Sequence, residues 1–276
     1  MSAKSDIVRI GFQGEAFSYS DRACRDLFPD AERIGFGSFT AAFEAIRDGA
    51  VDRLVLPIEN STTGSVLPVL DRLLPGNVRI VAEHLVEVRH CLLACPGAAL
   101  DQIRIVRSHP EALAQAEALI THRGWYPVPA HDTAGAVRLV AERADPTEAA
   151  LAPREAAEPH GLVVLEEDVV DRGHNTTRFV VVAPGVQPIP PDADKTSVAF
   201  TTLHQPGALA LALTELGLRG ANLTRIESRP SEEAWRYRFF VDLTHPPGPA
   251  GVASVFEPPP ATLTDLRFLG SYRAAR

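Results

Sequence analysis

Hydrophobic and polar positions alternate along the chain with two periods, and the switches between them mark the elements. "DIVRIGF" carries a period of two and predicts a strand, and "SDRACRDLF" follows with helical spacing. The pair recurs as "ERIGF" and "TAAFEAIRDG", the second ended by Gly49. "DRLVLPIEN" predicts a short buried strand closed by Pro57. "VRIVAEHLVEV", "HCLLAC" and "QIRIV" predict three more strands. "SHPEALAQAEALITHRG" predicts one helix, with Pro110 at its first position, Gly124 beyond its end, and Leu113, Ala116 and Ile120 as its buried stripe. "TAGAVRLVAER" predicts another helix, "EAALA" a short strand and "REAAEPHG" a brief helix. Last comes "NTTRFVVV", a β-branched run entered through polar residues. Strands alternating with helices predict an α/β architecture with largely parallel sheets, which places ligands at the carboxyl ends of strands.

The pattern changes at "APGVQPIPPDADK", which has no periodicity and four prolines and predicts a semi-rigid linker. A smaller unit follows. "TSVAFTT" predicts a strand, "PGALALALTELGLRG" a helix, then "NLTRIESR", "YRFFVDLT" and "LTDLRFLGSY" strands. That order is the ferredoxin-like βαββαβ pattern. Its second helix falls in "GVASVFEPPPAT", where Pro258, Pro259 and Pro260 leave room for barely two turns.

Composition narrows the function classes. The chain has 276 residues, 45% hydrophobic and 22% charged, which is ample for a sizeable core and compatible with two domains. A net charge of −8 disfavours nucleic acid and anionic membrane surfaces as partners. No apolar run is long enough to cross a bilayer, and the N-terminus lacks a signal pattern. Three cysteines give no disulfide framework, so a cytoplasmic location is expected. On a strand, Cys91 and Cys95 share one face as small buried hydrophobes.

Several polar clusters sit where strands end and helices begin. "PIENSTTGSV" gathers Glu59, Asn60, Ser61, Thr62 and Thr63 before Gly64. Such a loop presents hydroxyls, an amide and backbone N–H groups to an anion, and an N-capping Ser or Thr explains the same letters. In "RSHPEALAQ", Ser108 or His109 can cap a helix that carries Gln115; "HDTAGAV" places Thr133 at another helix start. In "HNTTRF" the polar residues are either a turn feeding a strand or a reaction centre. There is no Walker loop, GxSxG elbow, GxGxxG or zincin spacing, so hydride transfer, ATP hydrolysis and triad hydrolysis have no support.

Taken in order, "PIENSTTGSV", "SHPEALAQ", "DTAGA", "AAEPHGL", "NTTRF", "PGALALAL" and "ESRP" resemble the prephenate dehydratases and the closely similar arogenate dehydratases. The resemblance runs from about residue 7 to 273. It implies a two-lobed, periplasmic-binding-protein-like catalytic module over residues 1–183, with lobe one at about 1–83 and 172–183 and lobe two at about 84–171. Residues 184–195 would be a linker and 196–276 an ACT regulatory domain. With no space ahead of residue 6 for a fused mutase domain, the monofunctional form is expected. The implied reaction converts prephenate to phenylpyruvate with loss of carbon dioxide and water, without a redox step, cofactor or metal.

The resemblance also implies roles for single residues. Thr177 matches the threonine that assists the departing hydroxyl, as a hydrogen-bond donor. Glu59 is the nearby carboxyl that could supply a proton. Asn60, Ser61, Ser108, Gln115 and Thr133 match substrate-binding positions. Arg178 matches a carboxylate holder or a structural ion pair, and Phe179 a core or ring-stacking residue. In the terminal unit, Gly207, Ala208, Leu209, Asn222, Leu223, Glu227 and Ser228 match segments that hold phenylalanine at a subunit interface, implying a homodimer or homotetramer. One departure stands out. In "GEAFSYS", Phe17 occupies the place of the family's second glycine, and it would be strained if that position needs positive φ. The rivals are arogenate dehydratase, giving phenylalanine directly, and a non-catalytic sensor of aromatic amino acids.

Overall fold

The computed structural model describes residues 7–171 and 175–275. Its elements run, in chain order, β1 (Arg9–Gln13), α1 (Tyr19–Leu27), β2 (Glu32–Phe36), α2 (Phe39–Arg47), β3 (Arg53–Asn60), β4 (Gly64–Ser65), α3 (Leu67–Leu73) and β5 (Val78–Glu87). There follow β6 (Cys91–Ala94), β7 (Ile105–Ser108), α4 (Pro110–Gln115), α5 (Glu117–Arg123), β8 (Tyr126–Pro129), α6 (Thr133–Arg143), β9 (Glu148–Ala152), β10 (Val163–Glu166) and β11 (Thr176–Pro184). The last elements are β12 (Lys195–Thr201), α7 (Ala208–Leu218), β13 (Asn222–Pro230), β14 (Tyr237–Thr244), α8 (Gly248–Phe256) and β15 (Thr264–Tyr272). The whole is a mixed α/β structure in two units. The first comprises the residues up to Ala42, Glu59–Gly64 and Leu85–Arg178; the second comprises Phe43–Ile58, Ser65–His84 and Phe179 onward.

In the first unit, β1 and β2 are parallel, Arg9 opposite Glu32 and Gln13 opposite Phe36. A five-stranded sheet has the order β10-β6-β9-β7-β8. Its β9, β7 and β8 are mutually parallel, but β6 is antiparallel to both β9 and β10. The expectation of largely parallel sheets is corrected here. Only a 3-10 turn at Leu100–Gln102 joins β6 to β7, not the helix that a parallel crossover uses. The strand period sorts the core onto two faces. Cys91, Leu93, Cys95, Ala150 and Ala152 pack with Val137 and Val140 of α6, whereas Leu92, Ala94, Ala149 and Leu151 pack with Leu113, Ala116 and Ile120. Cys91 and Cys95 share one face, as their spacing predicts.

Three local expectations change for tertiary reasons. The strand expected to stop at Pro57 continues to Asn60, because Val66 N–H donates to the Ile58 carbonyl and carries the pairing past the proline. The helix expected over 110–123 breaks at Ala116 (φ −119°, ψ 18°), and the Asp171 carboxylate accepts the N–H groups of Ala118 and Leu119 to start α5 afresh. "REAAEPHG" forms two 3-10 turns. Gly124 does end α5, at φ 67°. Phe17 stands at φ 65°, so the strain foreseen at this position is present. Its N–H donates to Asp21 Oδ2 at 2.9 Å, and its ring packs against the α6 side of the core.

In the second unit, β3, β11 and β5 neighbour one another in that order. The terminal βαββαβ segment forms an antiparallel sheet, β13-β14-β12-β15. That is the ferredoxin-like strand order. Val198, Phe200, Val241 and Leu243 meet Ala212 and Leu216 of α7 and Val252, Val255 and Phe256 of α8. The second helix starts earlier than expected, at Gly248, which gives it nine residues before the prolines.

Candidate active site

The loop after β3 and the start of β11 meet in the first unit. Ser61 N–H donates to the Thr176 carbonyl at 2.9 Å, and Thr176 N–H returns to Ser61 Oγ at 3.0 Å. The Asn60 amide Nδ2 donates to Thr177 Oγ1 at 2.9 Å and to Asn175 Oδ1 at 2.6 Å. Asn175 Nδ2 reaches Gln115 Oε1 at 2.6 Å, and Gln115 Nε2 reaches Thr62 Oγ1 at 3.2 Å. A hydroxyl that accepts from an amide keeps its own proton to donate. Thr177 is therefore set as a donor.

Thr177 and Asn60 line a cavity of about 180 Å³ with Gln115, Tyr19, His90 and Thr133. The first turns of α1, α4 and α6 border it through Tyr19, Glu111 and Thr133, so three helix starts face one space. Their dipoles favour a bound anion, opposed by the Glu111 and Asp132 side chains that also line the cavity; no Lys or Arg among the described residues lines it. Two of these starts are capped by side chains the sequence left open or passed over. His109 caps α4, and Asp132 rather than Thr133 caps α6, with Oδ1 accepting Gly135 N–H at 2.6 Å. Thr133 is thereby released to line the cavity.

Two residues of the cavity had no assigned role in the sequence. His90 is 3% exposed, and burial lowers its pKa to about 4, against a weaker upward pull from Gln115, so the imidazole is neutral at neutral pH. Its Nε2 lies 3.3 Å from Gln115 Oε1 and its Nδ1 3.2 Å from the Tyr19 hydroxyl. Tyr19 donates to the Arg89 carbonyl at 2.6 Å, and burial holds its phenol protonated by raising its pKa. The signal was available: "SYS" precedes a helix and His90 opens an apolar strand, but neither position has a sequence pattern that says which face it presents.

The remaining candidates fall elsewhere. Ser108 is fully buried and its Oγ donates to the Leu151 carbonyl at 2.6 Å, so it ties β7 to β9 and does not line the cavity. Glu59 Oε2 accepts from Arg178 Nε at 3.1 Å and Nη2 at 3.0 Å; neither residue lines the cavity. Phe179 is buried in the core. Ser61 serves the strand contact described above. Among the described residues, no group of three or more His, Cys, Asp or Glu is placed to hold a metal ion.

The effector candidates lie in the terminal sheet. Gly207 adopts φ 80° and starts α7, with Ala208 buried and Leu209 against the core. Asn222 begins β13 opposite Thr244, while Ser228 lies opposite Phe239, itself opposite Phe200 near the other end of β12. The eleven residues of α7, about 16 Å long, separate Gly207 from the segment that begins at Asn222. One chain therefore holds these candidates in two separated groups. Glu227 Oε2 accepts from Ser65 Oγ at 2.7 Å, and Ser65 Oγ accepts from Arg225 Nη2 at 2.7 Å.

Comparison with known proteins matches residues 10–186 to the family model described as prephenate dehydratase; the βαββαβ unit lies almost wholly beyond that match. The chain is 38% identical, over 96% of its length and 72% of the relative's, to arogenate dehydratase/prephenate dehydratase 2, chloroplastic, of Arabidopsis thaliana. It is 39% identical, over 87% of both chains, to a bifunctional N-acyl-homoserine lactone acylase/prephenate dehydratase of Komagataeibacter europaeus. The crystal structure of prephenate dehydratase in complex with L-Phe from Arthrobacter aurescens superposes with a TM-score of 0.84 at 34% identity, covering 97% of this chain and 90% of that one.

Proposed function

The chain belongs to the prephenate dehydratase family, and on that premise we propose that Thr177 carries the dehydration of prephenate to phenylpyruvate. The supporting observation is the Asn60-to-Thr177 hydrogen bond, which leaves the threonine proton to donate to the oxygen that departs from the ring. An aliphatic hydroxyl is too weak an acid to give up that proton outright near neutral pH, so its contribution is a preorganised hydrogen bond to developing negative charge. The ring carboxylate leaves as carbon dioxide, its bonding electrons passing into the ring as the hydroxyl departs as hydroxide, which takes a proton from solvent to become water; aromatisation drives both. The helix N-termini around the cavity would hold the substrate's carboxylates, with Asn60, Gln115 and Thr133 contributing polar contacts. Glu59 and Arg178 pair with each other on either side of this set, and we assign them to positioning the Asn60 loop against Thr177.

The catalytic module we place at residues 1–183, two-lobed in the periplasmic-binding-protein manner, with residues 172–174 outside the described part. Residues 196–276 we read as an ACT regulatory domain that takes phenylalanine, a reading supported by the Arthrobacter relative having been crystallised in complex with L-Phe. The two separated groups of effector candidates favour a site completed by a second copy of the chain, hence a homodimer or homotetramer. The three free, buried cysteines suit a cytoplasmic location, and among the described residues no helix is long and apolar enough to cross a membrane.

The deciding experiment incubates the purified protein with prephenate and, separately, arogenate, following phenylpyruvate and phenylalanine. The ratio of kcat/KM values names the preferred substrate. Thr177→Val should lower kcat by about 100–1000-fold, the loss seen when one preorganised donor is removed, with the unfolding midpoint unchanged. Absence of turnover by the folded wild-type protein on either substrate would bring the sensor reading forward. Calorimetry with phenylalanine tests the effector: no heat at millimolar ligand removes it.

A further inference from the structure

The hydrogen bonds behind Thr177 form a ring with a single direction, and backbone amides set that direction. Asn60 Oδ1 faces the N–H groups of Thr62 at 2.9 Å and Thr63 at 3.2 Å. A backbone N–H only donates, so this atom is the carbonyl oxygen and the NH2 lies on the other side. That NH2 gives one proton to Thr177 Oγ1 and the other to Asn175 Oδ1. The Asn175 oxygen is thereby engaged, so its Nδ2 faces Gln115 Oε1. Gln115 turns its own Nε2 to Thr62 Oγ1, and Thr62 Oγ1 closes the ring by donating to Asn60 Oδ1 at 2.6 Å.

We infer that Asn175 and Thr62 are positioning residues for the dehydration, acting through Asn60 to keep the Thr177 hydroxyl a donor. Neither lines the cavity that Thr177 lines, so neither is placed to touch the substrate there. If the Asn60 amide turned over, its oxygen would take the Thr177 proton and draw it away from the leaving oxygen. The ring prevents that reversal at every member, because each flip would set two donors or two acceptors face to face. Asn175 is itself fixed from behind: it is 4% exposed, and its backbone carbonyl accepts Val88 N–H at 2.7 Å. The inference rests on the reading of Thr177 as a donor, and the test separates the two.

Steady-state kinetics with prephenate are measured on the full chain. Asn175→Asp keeps an acceptor for Asn60 but has no proton for Gln115. It should lower kcat about 10–100-fold, the scale of a misplaced catalytic group, with KM within about threefold of wild type. Thr62→Val removes an exposed hydroxyl at nearly constant volume and should lower kcat about 3–10-fold, while Thr62→Ser restores it. In a Thr177→Val background, adding Asn175→Asp or Thr62→Val should change kcat by less than about twofold, because the group they position is already gone. Losses that multiply with Thr177→Val, or single variants with wild-type kcat, overturn the inference. If Asn175→Asp fails to fold, the Thr62 series decides alone. Should Thr177→Val itself retain wild-type kcat, the donor reading and the ring's role fall together. Should Thr177→Val be impaired while Asn175→Asp and Thr62→Val are not, only the ring's role falls.

Discussion

Replacing His90 with glutamine should flatten the acid side of the stability profile. In the unfolded chain an imidazole takes up its proton near pH 6.5, whereas in the folded protein burial delays this to about pH 4. Among the described residues no carboxylate is hydrogen-bonded to the ring to offset the burial: its nitrogens lie beside the Tyr19 hydroxyl and the Gln115 side-chain carbonyl. Between those two values the unfolded state binds more protons, so falling pH favours unfolding. The loss is RT ln[(1 + 10^(pKU − pH))/(1 + 10^(pKN − pH))], which gives about 2 kcal/mol at about pH 5 and levels off near ~3.4 kcal/mol well below pH 4. At about pH 7.5 it is close to zero, so stability from this group is complete at neutral pH and is lost as pH falls below about 6.5. The assay is urea unfolding of wild type and His90→Gln at about pH 5 and about pH 7.5. The drop between the two pH values should be about 2 kcal/mol larger in wild type, other titrating groups being common to both proteins. Parallel profiles would refute the neutral buried imidazole.

Four further outcomes follow from packing and charge. Arg107 grips Glu148 with two N–H groups, at 2.7 and 2.9 Å, the carboxylate only 5% exposed and keeping Arg143 Nη1 at 3.4 Å, so Arg107→Met should cost about 1.5–3 kcal/mol in urea unfolding by removing the charge-assisted hydrogen bonds. The hydrogen bond from Arg107 holds the Glu148 pKa below the usual carboxylate range. Its contribution is complete above the unfolded pKa and is lost as pH falls through the lower folded value, a slope that Glu148→Gln should remove. At Phe17, with φ 65°, Phe17→Gly should be more stable than Phe17→Ala by about 1 kcal/mol, since both lose the ring but only glycine relieves the backbone; equal midpoints would show no strain there. A Cβ at Gly251 would fall inside the contact radius of the Pro246 carbonyl oxygen, so Gly251→Ala should lower stability by about 3 kcal/mol or more, read from the unfolding midpoint.

Features that depend on neighbours a few residues away were legible along the chain. α6 spans the residues of "TAGAVRLVAER", β9 those of "EAALA" and β14 those of "YRFFVDLT", because hydrophobic period is a local property of helix and strand. Gly124 ends α5 where only a left-handed residue fits, and the polar clusters at Asn60, Gln115, Thr133 and Thr177 do converge on one cavity. Tertiary structure decided the rest, through groups far apart in the chain. Asp171 breaks the helix at Ala116, and strand pairing gives the Ser108 hydroxyl to Leu151 instead of a ligand. His90 acquires its low pKa only when folding removes it from water. The direction of the Thr177 hydroxyl has the same origin, for Asn60 and Asn175 stand 115 residues apart. No local pattern encodes which way an amide points, because its orientation is set by whichever donors and acceptors the folded chain brings beside it.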